Sequence, residues 1–131
     1  MLTLEQAKRA LAAAESHAAA IGIPVNIAIV DSSVHLTTFS RMDGAVLGSI
    51  DVALGKARTA ALFQIPSESV WDYCKPGAPA PTLELSNGGL MAFPGGLPFI
   101  SADGVFLGAV GVSGGAPSQD REIAEAATRN F

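Results

Sequence analysis

Four groups of side chains in this chain have types and spacings that could do chemistry. The first lies in Gly108–Asp120, GAVGVSGGAPSQD. Here an apolar strand runs into a Ser113-Gly114-Gly115 turn, and Pro117 opens a helix. Glycines at 111, 114 and 115 permit positive φ and close approach of a ligand, since no Cβ intervenes. The N–H groups that open the helix suit an anionic group. The same residues also suit a bare strand-to-helix corner. The second is Lys56, set in a helix between Val52, Thr59 and Phe63. It is either a lysine that snorkels its head to solvent or a pocket ammonium that meets a ligand carboxylate. The pocket reading places it against a cavity or interface shared with the 111–115 turn. Asp43, a ligand carboxylate or the carbonyls of residues 94–98 are then its expected partners.

The third group is histidine. His35 follows a turn after Asp31, so a hairpin brings imidazole and carboxylate together as an oriented base or metal ligand, or leaves His35 as a surface or interface residue. His17 sits on the flank of the first helix, either exposed or lining a groove where a haem iron could use it. If haem binds, imidazole is the strongest neutral ligand available, with His35 preferred to His17. The fourth is Arg41-Met42-Asp43-Gly44, where the guanidinium either forks onto a carboxylate of a ligand or partner or closes a turn salt bridge.

Other chemistries are weaker. GVSGG around Ser113 is not a G-x-S-x-G elbow, and no His or Asp partner can be assigned to it. Two histidines and one cysteine do not make a zinc pattern, and Cys74 has no visible base. No C-x-x-C-H or Cys-Pro haem motif is present.

These residues need elements to position them. Thr3 with Gln6 forms a capping box, followed by Leu4, Ala7, Leu11, Ala14, Ala18 and Ile21 at helical spacing, and Gly22 ends that helix. Val25–Val30 reads as a buried strand and Val34–Arg41 as its hairpin partner. Ser49 caps a helix that runs to about Gln64, with Pro66 as its stop. This helix has two apolar stripes: Ile50, Leu54, Ala57 and Ala61 for the sheet, and the stripe holding Lys56 for a pocket or partner. Ser67–Tyr73 is a short helical turn, and residues 76–81 and 93–98 are stiff loops. Leu97–Ala102 and Val105–Val112 form a second hairpin. A last helix runs from about Pro117 to Arg129. The order α-β-β-α-(α)-β-β-α specifies an α+β layer architecture in one domain, residues 1–131.

Composition narrows the function classes. Hydrophobic residues make up 49% and charged residues 15%, with mean hydropathy +0.37. Apolar surface should therefore remain to meet another subunit, and a homo-oligomer is expected. No run reaches a membrane span, and the N-terminus lacks the form of a signal peptide. One cysteine suits a reducing, cytoplasmic setting. A net charge of −4 without a basic cluster excludes nucleic acid as an expected partner.

Taken in order, VDSSVHL, SRMDGA, SIDVALGKARTA, FPGGLPFI and GAVGVSGGAPSQD resemble the GlcG/HbpS-like proteins, a family that includes the C-terminal domain of PduO-type proteins. The resemblance covers nearly the whole chain. It implies a profilin-like fold with a five-stranded antiparallel sheet flanked by helices, assembled into dimers and often octamers. It also implies binding of haem or another tetrapyrrole, with haem degradation or iron binding in some members. The family's polar positions carry over to Asp31, His35, Arg41, Asp43, Lys56 and Thr59, with Gly95, Gly96, Ser113 and Gly114 as backbone sites. The chain departs from the pattern at Ser33-Val34, where the family has a glycine pair, and in the proline-rich stretch from Pro76 to Leu90. Two readings stand: a cytoplasmic binding protein for haem or a small carboxylate ligand, and a small enzyme of carboxylate or aromatic catabolism with His35 or Lys56 as its acid–base group.

Overall fold

The computed structural model describes residues 1–129 and 131. Ile27 and Ile29 alternate with Ala28 and Val30 along strand β1 (Asn26–Asp31), and each set is buried in a different cluster. That alternation places a helical layer on each face of the sheet. Strands β2 (Leu36–Arg41), β3 (Gly96–Ile100) and β4 (Phe106–Ser113) complete an antiparallel sheet in the order β2-β1-β4-β3. The described residues form four strands, as the order of elements specifies, and not the five implied by resemblance.

Helices α1 (Leu4–Ile21) and α4 (Pro117–Thr128) cover the face that carries Ile27, Ile29, Phe99, Val110 and Val112. Alanines 7, 10, 14 and 18 form the buried stripe of α1, which begins with the Thr3–Gln6 capping box and ends at Gly22 with φ 72. Helix α2 (Ser49–Phe63) lies on the other face, and α3 (Ser67–Cys74) follows it.

Side-chain size sets the approach of α2. Gly96 and Gly111 are register partners across β3 and β4. A Cβ on Gly111 would lie 2.0 Å from the Ala53 carbonyl oxygen, and one on Gly96 would lie 2.4 Å from that of Lys56. The helix therefore rests on bare backbone. Its buried face is centred on Ala53, Lys56, Ala57 and Ala60, at i, i+3, i+4 and i+7. The two stripes read from the sequence are flanks of this one face, so Lys56 points at the sheet and not away from it. The α2 cap also differs from expectation. Gly48 is the N-cap, and the Ser49 hydroxyl instead accepts from the buried Asn26 amide at 2.7 Å.

The first hairpin turns at Val34, which takes φ 68. A β-branched residue rarely adopts this conformation. Two N–H groups converging on the Asp31 carboxylate hold the turn: Ser33 at 2.9 Å and His35 at 3.0 Å.

Candidate functional site

Lys56 is fully buried. Its ammonium donates to Asp120 Oδ2 at 3.0 Å and to the Val112 carbonyl at 2.9 Å. It also stands 4.6 Å from the centre of the Phe93 ring. Burial pulls the lysine below its ordinary pKa against the opposing pull of Asp120. Burial likewise raises the Asp120 carboxyl against the pull of Lys56 and the Gly115 N–H. Lys56 is thus neither snorkelled to solvent nor open to a cavity. Its partner is Asp120, and the expected partner Asp43 is exposed in a turn elsewhere.

The same carboxylate fills the anion slot of the glycine turn. Asp120 Oδ1 accepts from the Gly115 N–H at 2.8 Å, and Gln119 accepts from the Ala116 N–H at 2.9 Å. The protein occupies the space around these glycines: Gly114 abuts the Pro24 carbonyl, and Gly115 abuts Ile23. The helix opening expected to hold a ligand anion is satisfied by its own side chains. Asp120 lies in the quoted turn, and its place in the first turn of α4 was the available signal. Nothing local pointed from it to Lys56, 64 residues away.

The other positions carried over by resemblance are dispersed. Gly95 leaves the room that Lys56 fills, since its Cβ would lie 2.7 Å from Lys56 Nζ. Thr59 donates to the Gly55 carbonyl at 2.7 Å and accepts from the Met91 N–H at 2.9 Å, which pins residues 86–95 to α2. Ser113 is buried at the end of β4, opposite Asn26. Arg41 and Asp43 are exposed, and among the described residues they form no ion pair with each other. His35 is exposed on its turn, and Asp31 accepts from its backbone N–H, not from its imidazole.

His17 stands differently. It lines a concavity of about 370 Å³ between α1 and α4 with Ala13, Ser16, Ala20, Ala126 and Arg129. Its Nε2 meets Glu122 Oε2 at 2.6 Å, and the imidazole is 24% exposed. The α1 sequence explains the shape, because alanines on either side of His17 leave a shallow apolar floor. A carboxylate on one ring nitrogen orients an imidazole and raises its basicity toward a metal at the other. Among the described residues no group of three or more His, Cys, Asp or Glu side chains could hold a bare metal ion. A second concavity, beside Trp71, is lined by apolar side chains with Glu68 and Glu84. No described helix is long and apolar enough to cross a membrane.

Comparison with known proteins agrees with the motif order. The family model described as haem degrading protein HbpS-like matches residues 2–129. The chain is 40% identical over 131 residues to an uncharacterized 15.0 kDa protein from the dhaT-dhaS intergenic region of Citrobacter freundii, covering 99% of this chain and 92% of that one. It is 35% identical over 115 residues to the corrinoid adenosyltransferase PduO of Salmonella typhimurium, covering 88% of this chain but 34% of PduO. A crystal structure of a PduOC:heme complex superposes with a TM-score of 0.92 at 32% identity, covering 99% of this chain and 94% of that one.

Proposed function

Because this chain belongs to the HbpS-like family, we propose that it binds haem or a related tetrapyrrole in the groove at His17. The observation that carries this reading is one groove, half polar and half apolar, holding an imidazole with its own carboxylate partner, Glu122, and an exposed guanidinium, Arg129. The donor set fits the group. His17 would hold the iron, Glu122 would set the basicity of the imidazole, and Arg129 would meet a propionate. Ala13, Ala20 and Ala126 would take the flat apolar face. Haem, when bound, supplies a redox-active iron open to small ligands. The chain's own part is to bind and orient it.

The concavity beside Trp71 suits haem less well, because Glu68 and Glu84 would face its propionates. Among the described residues, His35 lines neither of these two concavities. An open groove covers one side of a macrocycle, so a second copy of the chain would cover the other, in keeping with a homo-oligomer of the dimer-to-octamer range. The enzyme alternative loses support, since Lys56 is consumed by an internal ion pair and shares no pocket with His35.

Haem titration of the apo protein tests the reading. Wild type and His35→Ala should give a saturating shift of the Soret band, and His17→Ala should lose it. An unchanged spectrum in His17→Ala would remove the site. Haem-degrading activity belongs to the same proposal and is followed as decay of that band with reductant and oxygen.

A further inference from the structure

The cavity beside Trp71, a concavity open to solvent, shares no lining residue with the His17 groove and has a volume of about 430 Å³. That size lies in the range of ligand pockets, roughly 300–1,000 Å³. Its walls are Trp71 from α3 and Leu90, Ala92, Phe93 and Pro94 from the following segment, with Glu68 and Glu84 as the charged lining residues. Glu68 Oε1 and Glu84 Oε2 are both shielded from solvent, and neither has a hydrogen-bond partner among the described residues. With these two oxygens closed off from water, a ligand in the cavity can meet the carboxylates only through their other oxygens.

The charges around the cavity decide what kind of ligand it suits. Arg121 of α4 binds the other oxygen of Glu68 and is shared with Glu125. Lys56, behind Phe93, is neutralised by Asp120. Glu84 pairs with no cation among the described residues, and its near neighbour is the buried Cys74 thiol, a weak donor. The cavity therefore carries one uncompensated negative charge inside aromatic walls.

We propose that this cavity binds an organic monocation, a primary ammonium on an aromatic body. An ammonium offsets the charge of Glu84 and donates to the oxygen of that carboxylate left open to the cavity. The indole of Trp71, 45% exposed, offers a face for cation–π contact or stacking. Phe93 already has Lys56 over its ring, so its contribution is packing against the apolar body. A bare inorganic cation would gain nothing from these walls and finds no third ligating side chain among the described residues.

Trp71 is the single tryptophan of the chain, so its fluorescence reports the cavity directly. The probes are 2-phenylethylamine, its neutral analogue 2-phenylethanol and the anion 3-phenylpropionate, each titrated into the wild-type protein. The amine should change Trp71 emission saturably, the alcohol should bind at least ten-fold more weakly, and the acid should not bind. Glu84→Gln should weaken amine binding ten-fold or more with an unchanged melt and an unchanged haem titration. Ala92→Leu, which fills the cavity and keeps both carboxylates, should abolish binding by calorimetry. Equal affinity for the three probes, no saturable response to the amine, or wild-type affinity in Glu84→Gln would overturn the proposal. If Glu84→Gln does not fold, the charge series on wild type and the Ala92→Leu variant decide it. None of these results bears on the His17 groove, whose test is the Soret band.

Discussion

Lys56 Nζ lies 3.0 Å from Asp120 Oδ2, with both side chains closed off from water. The pair joins the middle of α2 to the first turn of α4 at the end of β4. Because Asp120 also accepts from the Gly115 N–H, one carboxylate sets the corner and neutralises the lysine. The Lys56→Met change, which would leave the fold intact if the ammonium served a ligand, should instead strand a buried carboxylate. A loss of about 3–5 kcal/mol is expected. Lys56→Met with Asp120→Asn removes both charges and keeps an acceptor for Gly115, so the double variant should melt above either single one. Additive losses in denaturant titration would contradict the coupling.

Gly111 and Gly104 separate packing from backbone freedom. Gly111 needs no positive φ, yet its Cβ would strike the Ala53 carbonyl at 2.0 Å, whereas Gly104 has φ 80 and nothing within 4 Å. Gly104→Ala should cost about 1–2 kcal/mol for the left-handed conformation alone. Gly111→Ala forces α2 off the sheet, so its loss should be larger, at or beyond the upper end of the roughly 1–3 kcal/mol typical of overpacking. Chemical denaturation of the two variants ranks them.

Cys74 should make the fold alkali-sensitive. Burial, aided by Glu84, holds its thiol above the ordinary value of 9.0. Above that pH the unfolded chain gives up the proton while the folded chain keeps it. Stability is therefore fully present below pH 9.0 and falls as pH rises toward the folded pKa. Melts at pH 8 to 10.5 should show that slope in wild type and a shallower one in Cys74→Ala. Alkylation of the native protein at pH 8 should be slow beside that of the unfolded chain.

In the His17 groove, Glu122→Gln should lower haem affinity by roughly ten-fold or more, the scale of a lost carboxylate partner behind a metal-binding imidazole. Arg129→Ala should weaken binding several-fold, with a smaller effect at high salt. Soret titrations at two ionic strengths check both. A salt-independent Arg129→Ala effect would argue against the propionate contact.

Light scattering tests the assembly that an open groove and an apolar exterior imply. Leu62, Tyr73, Leu85 and Leu47 are all exposed in the single chain. The mass in solution should be a multiple of 13.3 kDa, and a monomer at micromolar concentration would count against a shared haem site.

Much of the architecture could be read from the chain because its determinants are local. The Thr3–Gln6 capping box, Gly22, the apolar run before Asp31 and Pro117 each act within a few residues, and α1, β1 and α4 begin or end accordingly. The motif order likewise sufficed for the family. Tertiary structure alone decided which face of α2 is buried, because Ala53 and Ala57 seat on Gly111 and the apolar flanks hide that alanine centre from a periodicity count. It also decided the partner of Lys56. A buried ammonium demands an anion, but the demand names no residue, and Asp43, close in sequence, lost to Asp120 across the sheet. The groove in which we place haem was hidden for a similar reason: it is made by two helices meeting, and Glu122 and Ala126 of α4 with Arg129 just past its end lie more than 100 residues beyond His17.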